Sequence, residues 1–425
     1  MNELNVFLNG TLVGQLRQSP GGAMTFAYDN DYRTSPGATP LSLSMPLSGQ
    51  NHKRKPTRAY FAGLLPDSSD RLNEIAREFG VSPNNPFALL EHIGHDAPGA
   101  VQLLRPGLES TSAERTSNDI DYLTDQEFTE LIRDLVTNAA TWGKRGSEGK
   151  WSLPGAEPKV ALFRNDDGRW GVPRGSTPTT HIIKPAVYPY LDHHINEFVT
   201  MEAARALGLN VADSFLLRTD AGDNSFVSVR YDRIRENGLW MRRHQEDLCQ
   251  SLSVMPAQKY QDQGGPGIAA VSQLFKQFPH PADRAAAATT FFDAIVFNTS
   301  ALGTDAHAKN YSLLLDGNRV EFAPFYDLGT HGPYPMKDGQ PMKAAMSVRG
   351  TYRINGISDA DLINEGTKLG LDRDTAADRV NHIRAHVSDA FATAAETAIA
   401  SLDDSAFAHN VAQSIEDHAR AHGWS

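Results

Sequence analysis

Cysteine is almost absent from this chain, since Cys249 is the only one among 425 residues. A single cysteine excludes an intrachain disulfide, and it leaves no second thiol from which a structural zinc site could be built. Both conclusions favour a reducing compartment. We therefore expect a cytoplasmic protein.

Positive charge and long apolar runs are also scarce. Lysine and arginine number 40 against 51 aspartate and glutamate residues, which gives a formal net charge of −11. This balance argues against a basic surface that covers the whole protein, although a local patch or a DNA-binding partner stays open. No run of about 18 apolar residues occurs, and residues 1–6 lack a signal-peptide pattern, so we expect a soluble protein that does not contact membranes.

The chain is rich in residues that can form a hydrophobic core, since 40% of them are hydrophobic. Its 425 residues exceed the length that one hydrophobic core usually organises. Apolar and polar residues alternate on both sides of Asn9-Gly10, which predicts a β-hairpin. Helical spacing covers residues 61–79, and a second short helix is expected at 86–93. Residues 106–118 are rich in Ser, Thr and Glu without periodicity, so we interpret them as an exposed linker.

Beyond this linker, strands come first and helices follow. Thr124 and Glu127 form a capping box that begins an amphipathic helix. Strands are expected between residues 160 and 231 with one helix at 195–207, and from residue 271 onward the pattern is helical apart from one strand pair. We therefore predict an α+β fold with a cleft between a strand-rich and a helical lobe. Its parts are a small N-terminal α+β subdomain (1–110), a strand-rich, nucleotide-binding small lobe (111–240) and a mostly helical C-terminal lobe (241–425).

The strongest chemical signal is the segment Gly-Thr-Asp-Ala-His-Ala-Lys-Asn at residues 303–310. Its Asp305 and Asn310 have the Asp-x-x-x-x-Asn spacing of protein kinase catalytic loops. In such a loop one carboxylate accepts the proton of the substrate hydroxyl, while a neutral amide oxygen reaches a magnesium ion. Asp305 is thus the candidate base and Asn310 a candidate metal ligand. A surface turn is the alternative, because this spacing alone is common by chance.

A second carboxylate, Asp327, follows the predicted strand pair inside the apolar bracket Phe-Tyr-Asp-Leu-Gly. A carboxylate at this point would hold magnesium against the β and γ phosphates of a nucleotide. The order of base, amide, hairpin and carboxylate is that of kinases, so we expect the α+β fold to be a protein-kinase-like bilobal fold. The joint pattern is therefore more specific than any of its parts.

A lysine and a loop would complete the phosphate site. Lys184 ends an apolar strand, where an ammonium must reach solvent or pair with an anion such as an ATP phosphate. Glu197, in the next helix, stands where kinases place the carboxylate that orients such a lysine. In the loop at 152–159, Gly155 and its neighbour could let backbone amides approach phosphate oxygens, with Lys159 adding charge, although an ordinary turn is the alternative.

The remaining candidates are weaker. A strand ending at Asp232 could present backbone groups to adenine and its carboxylate to ribose, but generic strand ends look the same. His307 is expected to be a supporting histidine rather than a proton carrier. The adjacent residues His193 and His194 point to different sides of a helix, so we expect no metal site there. A Gly-x-Ser-x-Gly elbow is absent, and Cys249 has no evident activating partner.

Together these residues resemble the HipA-type serine/threonine protein kinase toxins of bacterial type II toxin–antitoxin modules, over almost the whole chain. The segments that carry the resemblance are residues 40–47, 64–68, 93–101, 178–184, 245–247, 264–267 and 304–310. It implies a kinase that uses ATP and Mg²⁺ to phosphorylate a target protein, of which an aminoacyl-tRNA synthetase is the best known, halting translation and promoting growth arrest and persistence. It also implies a dimeric HipB-like helix-turn-helix antitoxin as partner, through which the toxin would reach operator DNA.

The resemblance further assigns roles to the matching positions of this chain. Asp305 is implied to be the base, Asn310 and Asp327 to hold magnesium, and Lys184 to contact the ATP phosphates. The other implied roles are a phosphate loop (Leu153, Pro154, Gly155, Ala156 and Lys159), an adenine hinge (Val229 and Tyr231), a ribose contact (Asp232), a place beside the nucleotide (His307) and an inactivating autophosphorylation site (Ser152).

This chain departs from the family pattern at three places. Glu157-Pro158 replaces a common Gln-Glu pair, and proline has no N–H to offer a phosphate. Val229 stands where glutamate is frequent, so adenine would be bound there by backbone alone, and Ala306 replaces a usual glycine. Because every catalytic group is retained, an active kinase is favoured over two other functions: a catalytically weak module that completes an antitoxin–DNA complex, and a small-molecule kinase.

Overall fold

The computed structural model describes residues 2–107, 119–137, 151–175, 177–187, 192–336, 340–402 and 406–424. The predicted linker at 106–118 lies almost wholly outside these residues, and so does residue 110, the first predicted domain boundary. None of the described helices is long and apolar enough to span a membrane.

The N-terminal part is an antiparallel sheet covered by helices. Its five strands have the order β4-β3-β2-β1-β5, and the predicted hairpin at Asn9-Gly10 joins β1 to β2. The elements are β1 (Asn2–Leu8), β2 (Thr11–Gln18), β3 (Met24–Tyr28), α1 (Asn30–Thr34), β4 (Asn51–His52), α2 (Arg54–Gly63), α3 (Ser69–Phe79), α4 (Pro86–Ile93) and β5 (Val101–Leu104).

The helical spacing at 61–79 belongs to two helices rather than one. Pro66 lies between α2 and α3, and because its ring restricts the preceding residue to extended conformations, the first helix ends before it. Ser68 then begins α3 by accepting a hydrogen bond from the backbone N–H of Arg71. The segment between the two helices carries Asp67, which reaches the site described below.

The middle part is a six-stranded antiparallel sheet of order β10-β11-β9-β7-β8-β6, followed by a separate hairpin of β12 and β13. The capping box of Thr124 and Glu127 begins α5, as predicted. The elements are β6 (Ile120–Tyr122), α5 (Asp125–Thr137), β7 (Val160–Arg164), β8 (Trp170–Pro173), β9 (His181–Pro185), α6 (His193–Ala206), β10 (Ser214–Arg218), β11 (Asn224–Val229), β12 (Arg233–Glu236) and β13 (Leu239–Arg242).

The C-terminal part is mainly helical. Gly370, with φ of +110°, separates α10 from α11, so the predicted helical stretch is interrupted there. The elements are β14 (His244–Asp247), α7 (Leu248–Ser251), α8 (Ile268–Phe275), α9 (Pro281–Ser300), β15 (Ser312–Asp316), β16 (Arg319–Phe322), β17 (Lys343–Val348), β18 (Thr351–Arg353), α10 (Asp359–Leu369), α11 (Arg373–Leu402) and α12 (Ala406–His422).

In the part of the chain that the structure describes, the arrangement has three hydrophobic cores: one in the N-terminal part, one between α5 and the six-stranded sheet, and a large one among the C-terminal helices. Helix α6 follows β9 in sequence, yet its apolar residues, such as Phe198, belong to the large helical core. This helix therefore links the sheet to the helical part.

Candidate active site

A cavity of about 440 Å³ lies where the three parts meet. It brings together nearly all the residues predicted from sequence, although they are spread over 175 positions of the chain. The predicted residues that line it are Leu153, Pro154, Gly155, Ala156, Lys159, Lys184, Val229, Tyr231, Asp232, Asp305, His307, Asn310 and Asp327. Ser152 is not among the lining residues.

The catalytic loop begins after α9. A side chain at Gly303 would place its Cβ 2.3 Å from Oδ1 of Asn298, so any larger residue would require Asn298 to move. The side-chain nitrogen of Asn310 donates a hydrogen bond of 2.8 Å to the carbonyl oxygen of Asp305. This contact fixes the loop and leaves the amide oxygen of Asn310 as the atom suited to a cation.

The side chain of Asp305 is 64% exposed at the cavity. The hydroxyl of Tyr260 donates to its Oδ1, a contact that sequence reasoning missed. Partial withdrawal from bulk water raises the pKa of Asp305, and repulsion by Asp327 adds to this, while the Tyr260 hydrogen bond opposes both. The ring of Tyr260 also packs edge-on against His307, which is buried beside the base.

Asp327 is positioned by the backbone before it. Phe325 is buried, its N–H donates to the carbonyl of Asn210, and its own carbonyl accepts from Ala212, both in the segment after α6. Asp327 itself has a φ of +58°, in the left-handed region, so the backbone leaves the extended conformation at this residue. Burial alone would raise the pKa of Asp327, but contact with the ammonium of Lys184 holds this pKa below its usual value.

Lys184 is a buried cation surrounded by carboxylates. Its Nζ lies 2.7 Å from Oε1 of Glu197 and 3.5 Å from Oε2 of Glu157, and it also contacts Asp327. Burial lowers the pKa of Lys184, but the three carboxylates outweigh it and raise this pKa well above the usual value. The pairing with Glu197 is the one predicted from sequence.

Glu157 and His193 were not predicted to meet. Oε1 of Glu157 lies 2.8 Å from Nε2 of His193, and this bond raises the pKa of the histidine against the effect of its burial. Glu157, His193 and Glu197 have ligand atoms within 4.8 Å of one another, the spacing of a metal site. The ammonium of Lys184 already contacts both carboxylates of this group, so Glu157 and Glu197 are better described as its counter-ions, with His193 bound to Glu157.

The phosphate loop is fastened to the N-terminal part. The N–H of Asp67 donates to the carbonyl of Gly155 over 3.0 Å, and the N–H of Ser152 donates to the carbonyl of Asp96 over 2.8 Å. Gly155 has a φ of +104°, and a Cβ there would lie 2.4 Å from Nζ of Lys159. Ser152 is 1% exposed and its hydroxyl donates to the carbonyl of Leu64 over 2.6 Å.

The predicted hinge follows β11. The N–H of Val229 donates to the carbonyl of Asp213. Among the described residues, the N–H and C=O of Tyr231 make no backbone hydrogen bond, so both stay available beside the cavity. The Tyr231 ring stacks on Tyr326 with centroids 5.7 Å apart. This arrangement suits the binding of an adenine edge by backbone groups.

Asp232 is more constrained than predicted. It is 2% exposed, its carboxylate accepts from Arg230 and from the N–H of Gly99, and Gln245 lies 3.3 Å away. A ribose contact for Asp232 stays a prediction, because these partners already engage its oxygens. Beside it, Asp96 pairs with three arginines, a cluster that sequence reasoning missed.

These relationships define a class of protein. A strand lysine paired with a helix glutamate, an Asp-x4-Asn loop and an aspartate after a hairpin surround one cleft between a sheet and a helical part, as in protein kinases. The family model of the HipA N-terminal domain matches residues 4–104, and that of the HipA-like C-terminal domain matches residues 151–391.

The relatives agree with these matches. A Sinorhizobium fredii protein named as a predicted kinase, Y4mE, is 37% identical over 78% of this chain and 78% of its own. The serine/threonine-protein kinase toxin HipA of Shewanella oneidensis is 28% identical over 92% of this chain and 88% of its own. A solved complex of HipA, HipB and operator DNA from Shewanella oneidensis MR-1 contains a chain that matches with a TM-score of 0.81 at 25% identity, covering 98% of this chain and 97% of that one.

This chain belongs to the HipA family of serine/threonine protein kinase toxins. The predicted α+β, kinase-like fold and the family assignment are thereby confirmed. Kinases of this class use a nucleotide and a divalent metal.

Proposed function

We propose that this protein transfers the γ-phosphate of ATP to a serine or threonine hydroxyl of a target protein. The observation that carries the proposal is the meeting of Asp305, Asn310, Asp327 and Lys184 around one cavity. Lys184 would attract the phosphates, and the free backbone groups of Tyr231 would bind adenine. Asp305 would accept the proton of the acceptor hydroxyl as that oxygen forms its bond to the γ-phosphorus, while the bond from this phosphorus to the bridging oxygen breaks and ADP leaves.

The same site fits a magnesium ion. Asn310 and Asp327 offer the oxygen atoms that this ion prefers, and both line the cavity. Contact with Lys184 keeps the pKa of Asp327 below its usual value, so this carboxylate is ionised and suited to bind a cation. Bound there by Asn310 and Asp327, Mg²⁺ would neutralise charge on the phosphate oxygens.

The finer parts of the proposal concern target, regulation and partner. The target would be a protein such as an aminoacyl-tRNA synthetase, whose phosphorylation inhibits translation and promotes growth arrest and persistence. Autophosphorylation of Ser152 would inactivate the enzyme, and because that serine is buried, the phosphate loop would first have to leave its place. A HipB-like antitoxin dimer would bind the protein and bring it to DNA. The proposed division of the chain is an N-terminal subdomain at 1–110, a small lobe at 111–240 and a helical lobe at 241–425.

Phosphoryl transfer is tested with radiolabelled Mg-ATP, following label on the protein itself and on host proteins. We expect the variant Asp305→Gln to lose transfer while it still binds nucleotide, because only the proton acceptor is removed. Asp316→Asn, an exposed aspartate of β15, is the matched control. Undiminished labelling in Asp305→Gln would contradict the assignment of the base. Mass spectrometry of host proteins modified by the wild type alone would then identify the target.

A second function is favoured by the match to the HipA–HipB–DNA complex. The protein could act as a catalytically weak co-repressor, completing an antitoxin–DNA complex. An Asp305→Gln variant that supports repression as well as the wild type, in a protein without measurable transfer, would favour this alternative.

A further inference from the structure

Asp67 belongs to the N-terminal part, yet it touches both functional loops of the kinase site. It lies between α2 and α3 with a side chain that is 12% exposed. Its Oδ1 accepts a hydrogen bond of 2.8 Å from Nζ of Lys309, and its Oδ2 lies 3.4 Å from Nζ of Lys259. Its backbone N–H donates to Gly155 of the phosphate loop.

Lys309 stands directly before the metal ligand Asn310. Its side chain is 3% exposed, and its carbonyl accepts a hydrogen bond of 2.8 Å from the hydroxyl of Tyr326. Burial lowers the pKa of Lys309, but Asp67 and then Asp247 outweigh it and raise this pKa. The buried ammonium thus depends on Asp67 for its direct ion pair.

Lys259 stands directly before Tyr260, whose hydroxyl contacts the base Asp305. The carbonyl of Lys259 accepts from the N–H of Ala308 in the catalytic loop. Each carboxylate oxygen of Asp67 therefore contacts one lysine. Lys309 precedes the metal ligand Asn310, and Lys259 precedes Tyr260, which contacts the base. Burial would raise the pKa of Asp67, but Lys309 and Lys259 reverse this effect and keep the carboxyl ionised.

We propose that Asp67 is a positioning residue for phosphoryl transfer, through which the N-terminal part aligns the catalytic loop with the phosphate loop. The inference rests on the proposed kinase function. Asp67 contacts neither the hinge nor Lys184, so its carboxylate should affect the alignment of the base and the metal ligand rather than nucleotide affinity. A misplacement of about 1 Å at a reacting group can cost about 100-fold in rate.

The test compares Asp67→Asn with the wild type by kcat, by KM for ATP and by titration with a fluorescent ADP analogue. The asparagine keeps the backbone bond to Gly155 and removes the charge. We expect kcat to fall roughly 10- to 100-fold with KM and nucleotide affinity within about threefold, and Asp67→Glu to recover part of the rate. Asp70→Asn, an exposed neighbour in α3, should behave as the wild type.

An unpaired buried lysine can unfold a protein, so a second variant keeps the test decisive. Asp67→Asn combined with Lys309→Met removes both charges, and such neutral replacements of buried pairs are often tolerated. We expect the double variant to fold, to bind the ADP analogue and to remain slow. A folded Asp67→Asn or double variant with the wild-type kcat would overturn the inference, and so would an equal loss of nucleotide binding. A wild type without transfer would instead defeat the kinase proposal itself.

Discussion

Glu157 of the phosphate loop and His193 of α6 are joined by a contact of 2.8 Å between Oε1 and Nε2. From the sequence we expect Glu157 to be one of the residues at which this chain departs from the family pattern. Its other oxygen lies 3.5 Å from the ammonium of Lys184. The loop thus places a negative charge against the lysine that a nucleotide phosphate would need.

We therefore predict that Glu157→Gln binds ATP more tightly. Removing this carboxylate leaves Lys184 with two competing anions instead of three and removes repulsion of the phosphates. We expect the dissociation constant for nucleotide to fall roughly three- to tenfold, as for the loss of one partly screened charge. Nucleotide titration measures this, with exposed Glu236→Gln as control. Weaker binding would show that Glu157 supports the loop more than it opposes phosphate.

Removal of the Tyr260 hydroxyl should slow phosphoryl transfer. This group donates to Asp305 and holds the base in one orientation. Hydrogen bonds to charged groups contribute about 1.5–3 kcal/mol, so Tyr260→Phe should lower kcat by roughly 10- to 100-fold with little change in KM for ATP. Steady-state kinetics measure both constants, with Tyr352→Phe as control. A change in KM alone would contradict the role in orienting the base.

The arginine cluster around Asp96 should dominate the stability of the contact between the N-terminal part and the small lobe. Asp96 accepts from Arg233 and Arg242 over 2.8 and 3.0 Å, and all three are buried. Asp96→Asn removes the carboxylate that the buried arginines share and leaves Asp232 as the remaining carboxylate beside Arg230 and Arg233, so we expect a loss of about 3–5 kcal/mol in the free energy of unfolding. Denaturant titration measures it, and exposed Asp31→Asn should cost far less. A loss below 1 kcal/mol would refute the assignment.

Glu246 should make stability depend on pH. It is 1% exposed, it accepts from the N–H of Leu43, and burial raises its pKa to about 7. The folded state therefore binds this proton more tightly than the unfolded chain, so the resulting stability is present at low pH and is lost as pH rises through 7. Glu246→Gln cannot ionise and should exceed the wild type by up to about 3 kcal/mol at pH 8.

At pH 5 the same variant should differ little from the wild type. Thermal denaturation at both pH values checks the prediction, with exposed Glu236→Gln as the matched control. An advantage of Glu246→Gln that is equal at both pH values would contradict it.

Local spacing predicted much of this molecule. The turn at Asn9-Gly10, the capping box at Thr124 and the catalytic loop at 305–310 depend on neighbours within a few residues, so their geometry follows from the chain itself. The helical spacing at 61–79 did not predict the break between α2 and α3, because periodicity indicates which face is buried and not whether the helix is continuous. Pro66 was the available signal for the break.

Contacts between distant segments could not be predicted in this way. Asp67 and Lys309 are 242 positions apart, and each looks alone like an ordinary exposed charge. The hairpin of β12 and β13 was missed because Arg233 and its neighbours carry no clear apolar alternation. Arg233 is nevertheless buried, since it pairs with Asp96 from the N-terminal part.

Helix α6 connects the six-stranded sheet to the helical part. Its apolar residues pack in the large core, which also includes Phe226 of β11, while its Glu197 pairs with Lys184 of β9. The length of this ion pair is therefore a distance between β9 and a helix of the large core. A spectroscopic ruler attached to β9 and α6 would measure whether this distance changes during turnover.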